Sequence, residues 1–109
     1  MAIQHALSGQ PVDVRPLGDA ITTAQTVALF KSQNLELMRL VLPKGKLFPP
    51  HSVKGDVTLQ CIEGELAVTA EGATTRLLPG QLIYLAGGVL HGVSAHVDSS
   101  ALMTIALCR

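Results

Sequence analysis

Two histidines carry most of the chemistry that this chain can be expected to do. His51 lies in Phe48-Pro49-Pro50-His51-Ser52-Val53, and His91 in Gly88-Val89-Leu90-His91-Gly92-Val93. A neutral imidazole lends a lone pair to a divalent transition metal such as Zn, Fe, Mn or Ni. It also titrates near neutrality, so the same ring can act as a general acid or base. Three readings stay open for the pair: a metal site, a site for a small organic ligand, or two polar side chains satisfied by water and backbone at a cavity mouth. For acid–base work, no orienting carboxylate is visible beside either histidine.

The other tempting groups read as structure. Glu63 and Glu65 flank a turn glycine and are expected to be solvated, not a catalytic carboxylate pair. Lys54-Gly55-Asp56 reads as a plain loop at a barrel mouth. Gly87-Gly88 is no phosphate cradle, because no helix is predicted after it. Met38 and Met103 fit core filling, and Tyr84 a core or interface position. Cys61 reads as an inert buried thiol. His5 lies in a segment without a clear signal.

The elements that must position the histidines are strands. From Thr26 onward, short apolar runs alternate with turn signals. The runs are Thr26–Lys31, Leu35–Leu42, Val57–Ile62, Glu65–Ala70, Ala73–Leu78, Gln81–Leu85, Leu90–Val97 and Ala101–Leu107. The turns between them recur too often for helices of ordinary length, and Glu63-Gly64 reads as a hairpin turn. Pro49-Pro50 holds the approach to His51 extended. Alternation puts His91 on one face with Val93, Ala95 and Val97, and turns His96 outward; Val57, Leu59 and Cys61 share a face in the same way. Residues 1–25, with Pro11 and Pro16, read as an N-terminal arm or edge strand, lying on a neighbouring subunit or on its own barrel. Residues 26–109 form the barrel.

At 109 residues the chain suits one domain with one core. Its net charge is zero and it has no basic run, which argues against nucleic acid or an anionic membrane as partner. Charged residues make up 15% and apolar ones 48%, against roughly 25% charged in an average soluble protein. That shortage of charge predicts surface buried against a second copy, a homodimer. Of the two cysteines, Cys61 and Cys108, neither belongs to a CxxC or Cys/His cluster, so a zinc-ribbon reading fails. The first residues lack the pattern of a secretory signal, and no run approaches the ~18 apolar residues of a spanning helix. The expectation is a cytoplasmic protein with reduced thiols.

Two segments, Gly45–Gly64 (GKLFPPHSVKGDVTLQCIEG) and Gly80–Ala95 (GQLIYLAGGVLHGVSA), resemble the two motifs of the cupin superfamily. In the first, Gly45, His51 and Gly64 match at the family's spacing, while Val53 and Val57 stand where a second histidine and a glutamate are usual. In the second, Gly80, Gly88 and His91 match, with Ala86 and Ala95 replacing proline and asparagine. The resemblance implies an all-β fold, a double-stranded β-helix or jelly roll of two antiparallel sheets. It also implies a homodimer, and a metal site built by three histidines and a carboxylate, of which only His51 and His91 remain. Cys61 (inward but deep) and Asp56 or Gln60 (near, with the wrong parity) are the substitutes at hand. Val53, Val57, Leu59, Cys61 and Val93 are expected to line the cavity, and the four motif glycines to close turns. The first expectation for function is a barrel that binds an unidentified small molecule at a degenerate metal site. The alternatives are a metal-dependent oxygenase- or isomerase-like enzyme using His51 and His91, and a structural or regulatory subunit with no ligand.

Overall fold

The computed structural model describes residues 5–107, which leaves Cys108 outside the described part. The described residues form nine strands: β1 (Val27–Lys31), β2 (Leu35–Leu42), β3 (Leu47–His51), β4 (Val57–Glu63), β5 (Leu66–Ala70), β6 (Ala73–Leu77), β7 (Leu82–Leu85), β8 (His91–Ala95) and β9 (Ser99–Ala106). They form a five-stranded sheet in the order β1-β2-β9-β4-β7 and a four-stranded sheet in the order β3-β8-β5-β6. All pairings are antiparallel. Short corners carry the chain from β2 to β3, β4 to β5, β6 to β7 and β8 to β9, so each of these pairs faces the other across the interior. This is a jelly roll.

Alternation explains the core. In β4, Val57, Leu59 and Cys61 are buried, while Thr58 and Gln60 between them are only half-buried. The matching sides of the other strands supply Leu40, Leu42, Leu66, Val68, Val93, Ala95, Ala101, Met103 and Ile105, all in one apolar cluster. Each fully buried Leu or Val of this set stabilises the fold by about 1.5–3 kcal/mol relative to exposure.

One strand escaped the sequence reading. β3 contains Pro49 and Pro50, and proline cannot donate to a ladder. It is tolerated because β3 is the edge of its sheet and its register with β8 shifts between Phe48 and His51. That bulge brings His51 back into register with His91. A second departure is Val97, expected inside but 46% exposed: β8 stops at Ala95, and Val97 belongs to the corner leading into β9.

The turn after β4 needs a glycine. Gly64 has φ +81°, and a Cβ there would sit 2.2 Å from Ser99 Oγ and 2.4 Å from the Asp98 carbonyl oxygen. Gly55, in the loop read as a plain turn, is buried, and a Cβ on it would lie 1.8 Å from the Ala106 carbonyl oxygen. Close backbone approach, not loop flexibility, demands that residue.

Among the described residues of the N-terminal segment there is no strand; an extended arm with a 3₁₀ turn at Gly18–Thr22 packs on its own barrel. The Ala6 N–H donates to the Leu29 carbonyl at 2.9 Å, Arg39 Nη2 donates to the Asp13 carbonyl at 3.2 Å, and Ile21 is buried. Glu63 fastens the arm. Its carboxylate accepts the Leu17 N–H at 2.7 Å, the Gly18 N–H at 3.0 Å and the Ser100 hydroxyl. Glu63 is therefore not the solvated turn residue expected from sequence. Burial alone would push its pKa up, but the hydrogen bonds from Ser100, Leu17 and Gly18, with Arg39 nearby, outweigh burial and hold it below the usual value. Glu65 likewise has a partner, an ion pair with Arg76.

Candidate functional site

The bulged edge strand and the first residue of β8 bring the two histidines together. His51 and His91 are cross-strand partners, and their ring centroids lie 4.8 Å apart at an interplanar angle of 54°. Their environments differ sharply. His51 is exposed, and its Nδ1 lies 3.4 Å from the Pro49 carbonyl oxygen. His91 is buried at 2% exposure, with Nδ1 at 3.1 Å from the Val89 carbonyl oxygen. A carbonyl only accepts, so His91 Nδ1 donates; in the tautomer that carries this single proton, Nε2 is an acceptor. That Nε2 is buried and has no hydrogen-bond partner among the described residues.

The other residues expected at the site are placed as follows. Val57, Leu59, Cys61 and Val93 are 2%, 0%, 0% and 3% exposed and belong to the packed core. They fill the interior instead of lining an open hollow. Val53 is half-buried and packs against that core. Gly45, Gly64, Gly80 and Gly88 all turn the chain at positive φ, between 81° and 87°. Cys61 donates weakly to the Glu63 carbonyl at 3.5 Å; burial pushes its thiol pKa up, the state of an unreactive thiol. Asp56 is engaged by the Gly87 N–H at 2.9 Å. Tyr84 is 60% exposed on the outer face, so it is no core residue. Met103 is buried in the core and Met38 packs against it. His5 and His96 are exposed.

One half-buried acidic residue that sequence reasoning passed over lies in β2. Glu36 has the inward parity of Met38, Leu40 and Leu42 within β2. Both parities of LELMRLVL are largely apolar, so the sequence alone does not assign Glu36 to a face.

Comparison with solved structures places this architecture. A cupin superfamily protein from Desulfitobacterium hafniense superposes with a TM-score of 0.78 at 15% identity, covering 99% of this chain and 100% of its own. The chain adopts the cupin fold. An RmlC-like cupin from Shewanella frigidimarina gives 0.74 at 18% identity, with 99% and 94% covered. KdgF from Halomonas sp. gives 0.71 at 22% identity, with 77% and 78% covered. No family model matches the sequence, and no curated protein matches it. No helix among the described residues is long and apolar enough to cross a membrane.

In this barrel the donor set does not fit a catalytic metal. Valines occupy the positions of the second histidine and the carboxylate, so no negative charge there favours a dication. Among the described residues, no group of three or more His, Cys, Asp or Glu side chains is arranged to hold one. What remains is a pair of imidazoles, one buried with a free acceptor and one exposed beside it.

Proposed function

We propose that this cupin binds a small organic molecule at the His51/His91 end of its barrel, without a tightly held metal. The observation that carries this reading is His91 Nε2, a buried acceptor with no donor. Leaving such a group unmet costs roughly 1–3 kcal/mol, a cost that folds tend to keep where a ligand can relieve it. A ligand donor meeting Nε2, with its apolar body near Val53 and Phe48, relieves that cost. His51, exposed on a bulged edge strand, is the side chain that moves to admit it.

A metal-dependent enzyme is the competing reading, favoured by one observation: a histidine whose Nδ1–H is held by a carbonyl is oriented as metal-binding histidines are. Elemental analysis of tag-free protein for Mn, Fe, Ni, Cu and Zn, before and after reconstitution, separates the two. The expected result is far less than one metal per chain. Near-stoichiometric metal that vanishes in both His51→Ala and His91→Ala overturns the proposal. In a thermal-shift screen of neutral metabolites, hits should disappear in His91→Ala; hits that persist in that variant place binding elsewhere.

Self-association belongs to the same proposal. On β7, Leu82 and Tyr84 are 55% and 60% exposed. They continue in register through Gln60 and Thr58 of β4 to Leu102 and Thr104 of β9, rows without a charge across these three strands. A second copy is the occupant that the scarcity of charge favours. Light scattering should give a dimer, and Tyr84→Asp a monomer; a wild-type monomer at high concentration refutes this.

A further inference from the structure

A buried cation stands without an acid partner on the outer side of the larger sheet. Arg39 alternates in β2 with the core residues Met38, Leu40 and Leu42, so it points away from the core. It is nevertheless only 7% exposed, because the N-terminal arm covers it. Buried charges are ordinarily paired. Arg39 forms no ion pair among the described residues, and its Nε is buried there without a hydrogen-bond partner. The bond from Nη2 to the Asp13 carbonyl, at 3.2 Å, meets a neutral acceptor. Arg15 makes the comparison. Its Nε donates to both oxygens of the Asp13 carboxylate at 3.1 Å, and its Nη2 donates to one of them at 2.7 Å. The exposed arginine thus takes the carboxylate, and the buried one takes only the main chain of the same residue.

Asp13, Arg15, Pro16, Leu17 and Arg39 line one open cavity of about 460 Å³. Two guanidinium groups face it against one carboxylate, which Arg15 already engages. Glu63 is the other acid whose charge interacts with Arg39. It is not part of the lining, and its oxygens accept from the Leu17 and Gly18 N–H groups and the Ser100 hydroxyl. Exposed Pro16 and half-buried Leu17 supply an apolar wall. We propose that this cavity binds a small aliphatic monocarboxylate through the Nε side of Arg39. A planar carboxylate matches a guanidinium fork with two parallel bonds. Because Nε is covered, the ligand reaches it by displacing the Nη2 bond to the Asp13 carbonyl. One bond to a neutral acceptor is exchanged for two to an anion. A single negative charge also balances the one excess positive charge of the lining, whereas an amine would add a like charge.

Butyrate, butyramide, butylamine and inorganic phosphate test this, each titrated into uniformly labelled protein at low, constant ionic strength. The readout is the Arg39 Nε–H resonance, identified by its loss in Arg39→Lys, together with the Leu17 and Gly18 amides. Butyrate should move the Nε–H signal downfield and saturably. Butyramide and butylamine should leave it in place, and phosphate should bind more weakly than butyrate. Asp13→Asn removes the competing carboxylate and should tighten butyrate about threefold; Arg15→Gln should weaken it about threefold, the scale of exposed charge pairs. Arg39→Lys keeps the charge but loses the fork, and should weaken butyrate about tenfold or more at the Leu17 and Gly18 amides. A wild-type Nε–H signal that butyrate does not move overturns the proposal, whatever Arg39→Lys does to folding. An equal response to butyramide removes the role of charge, and phosphate binding as tightly as butyrate removes the carboxylate assignment. Affinity unchanged in both Asp13→Asn and Arg15→Gln places binding outside this cavity.

Discussion

The two ends of this barrel hold ionisable side chains in opposite conditions. At the end closed by Gly64, the Glu63 carboxylate is met by two backbone N–H groups and the Ser100 hydroxyl. At the other end, His91 is more deeply buried, yet only one of its nitrogens has a partner. Two turn glycines differ in the space around them. A Cβ on Gly64 would collide with Ser99 and Asp98, whereas one on Gly88 meets nothing within 4 Å. One end satisfies its carboxylate, whereas the other keeps a buried ring nitrogen without a partner among the described residues.

The largest effect should come from Gly64→Ala. It combines a left-handed backbone with a collision against main chain that cannot move cheaply, so a loss of about 3 kcal/mol or more is expected in urea unfolding. Gly88→Ala should lose only the conformational part, about 1–2 kcal/mol. Equal losses at the two positions would mean that the collision at Gly64 costs little.

Glu63→Gln should follow, at about 1–3 kcal/mol near neutral pH, since two N–H donors and a hydroxyl lose a charged acceptor. The pH dependence sharpens this. Because the folded-state pKa of Glu63 lies below its ordinary 4.5, its contribution is fully present above that value. It is lost as pH falls through the lower folded-state value. The stability gap between wild type and Glu63→Gln should therefore narrow below pH 4.5. Asp13, held down at about 2 by its hydrogen bonds to Arg15, is common to both proteins and cancels. A gap that stays constant down to pH 3 would mean that Glu63 acts by packing alone.

How much of this contrast can be read from sequence depends on whether a residue acts through periodicity or through contact. The strand β4 was legible because Val57–Ile62 alternates cleanly, and β2 because Leu35–Leu42 is a short apolar run between turn signals. β3 was not, because its two prolines speak against a ladder, and only the edge position and bulge make them acceptable. The histidine pair was legible through its fixed spacing from Gly45 and Gly88. Glu63 was misread, because a glutamate before a turn glycine ordinarily faces water; its partners Leu17, Gly18 and Ser100 are distant in sequence and come together only in the fold. Val57, Leu59, Cys61 and Val93 face inward, as their parity requires. How fully side chains fill the interior is not legible in sequence, since parity gives a side and not a density.

His91→Leu tests the open end directly. Replacing a half-satisfied buried imidazole by an apolar side chain of similar size removes an unmet acceptor, and with it the single bond to the Val89 carbonyl. Stability should change by less than about 1 kcal/mol in either direction, far less than for Glu63→Gln despite deeper burial. A loss above about 2 kcal/mol would show that His91 is as much a structural residue as Glu63, and the two ends would no longer differ in kind.

The smallest effect on stability, and the most informative about access, is expected of His51→Ala. An exposed side chain with one long hydrogen bond contributes within about 0.5 kcal/mol, so unfolding should barely change. Its ring nevertheless stands 4.8 Å from that of His91, and His91 Nε2 has no exposed surface while it is there. Diethyl pyrocarbonate, which acylates an unprotonated imidazole nitrogen, should modify the exposed His5, His51 and His96 of the wild-type protein and spare His91. In His51→Ala it should reach His91. Continued protection of His91 in that variant would mean that the cover lies in another element, such as the Lys54–Asp56 loop. A ligand would then have to enter by moving backbone instead of one side chain.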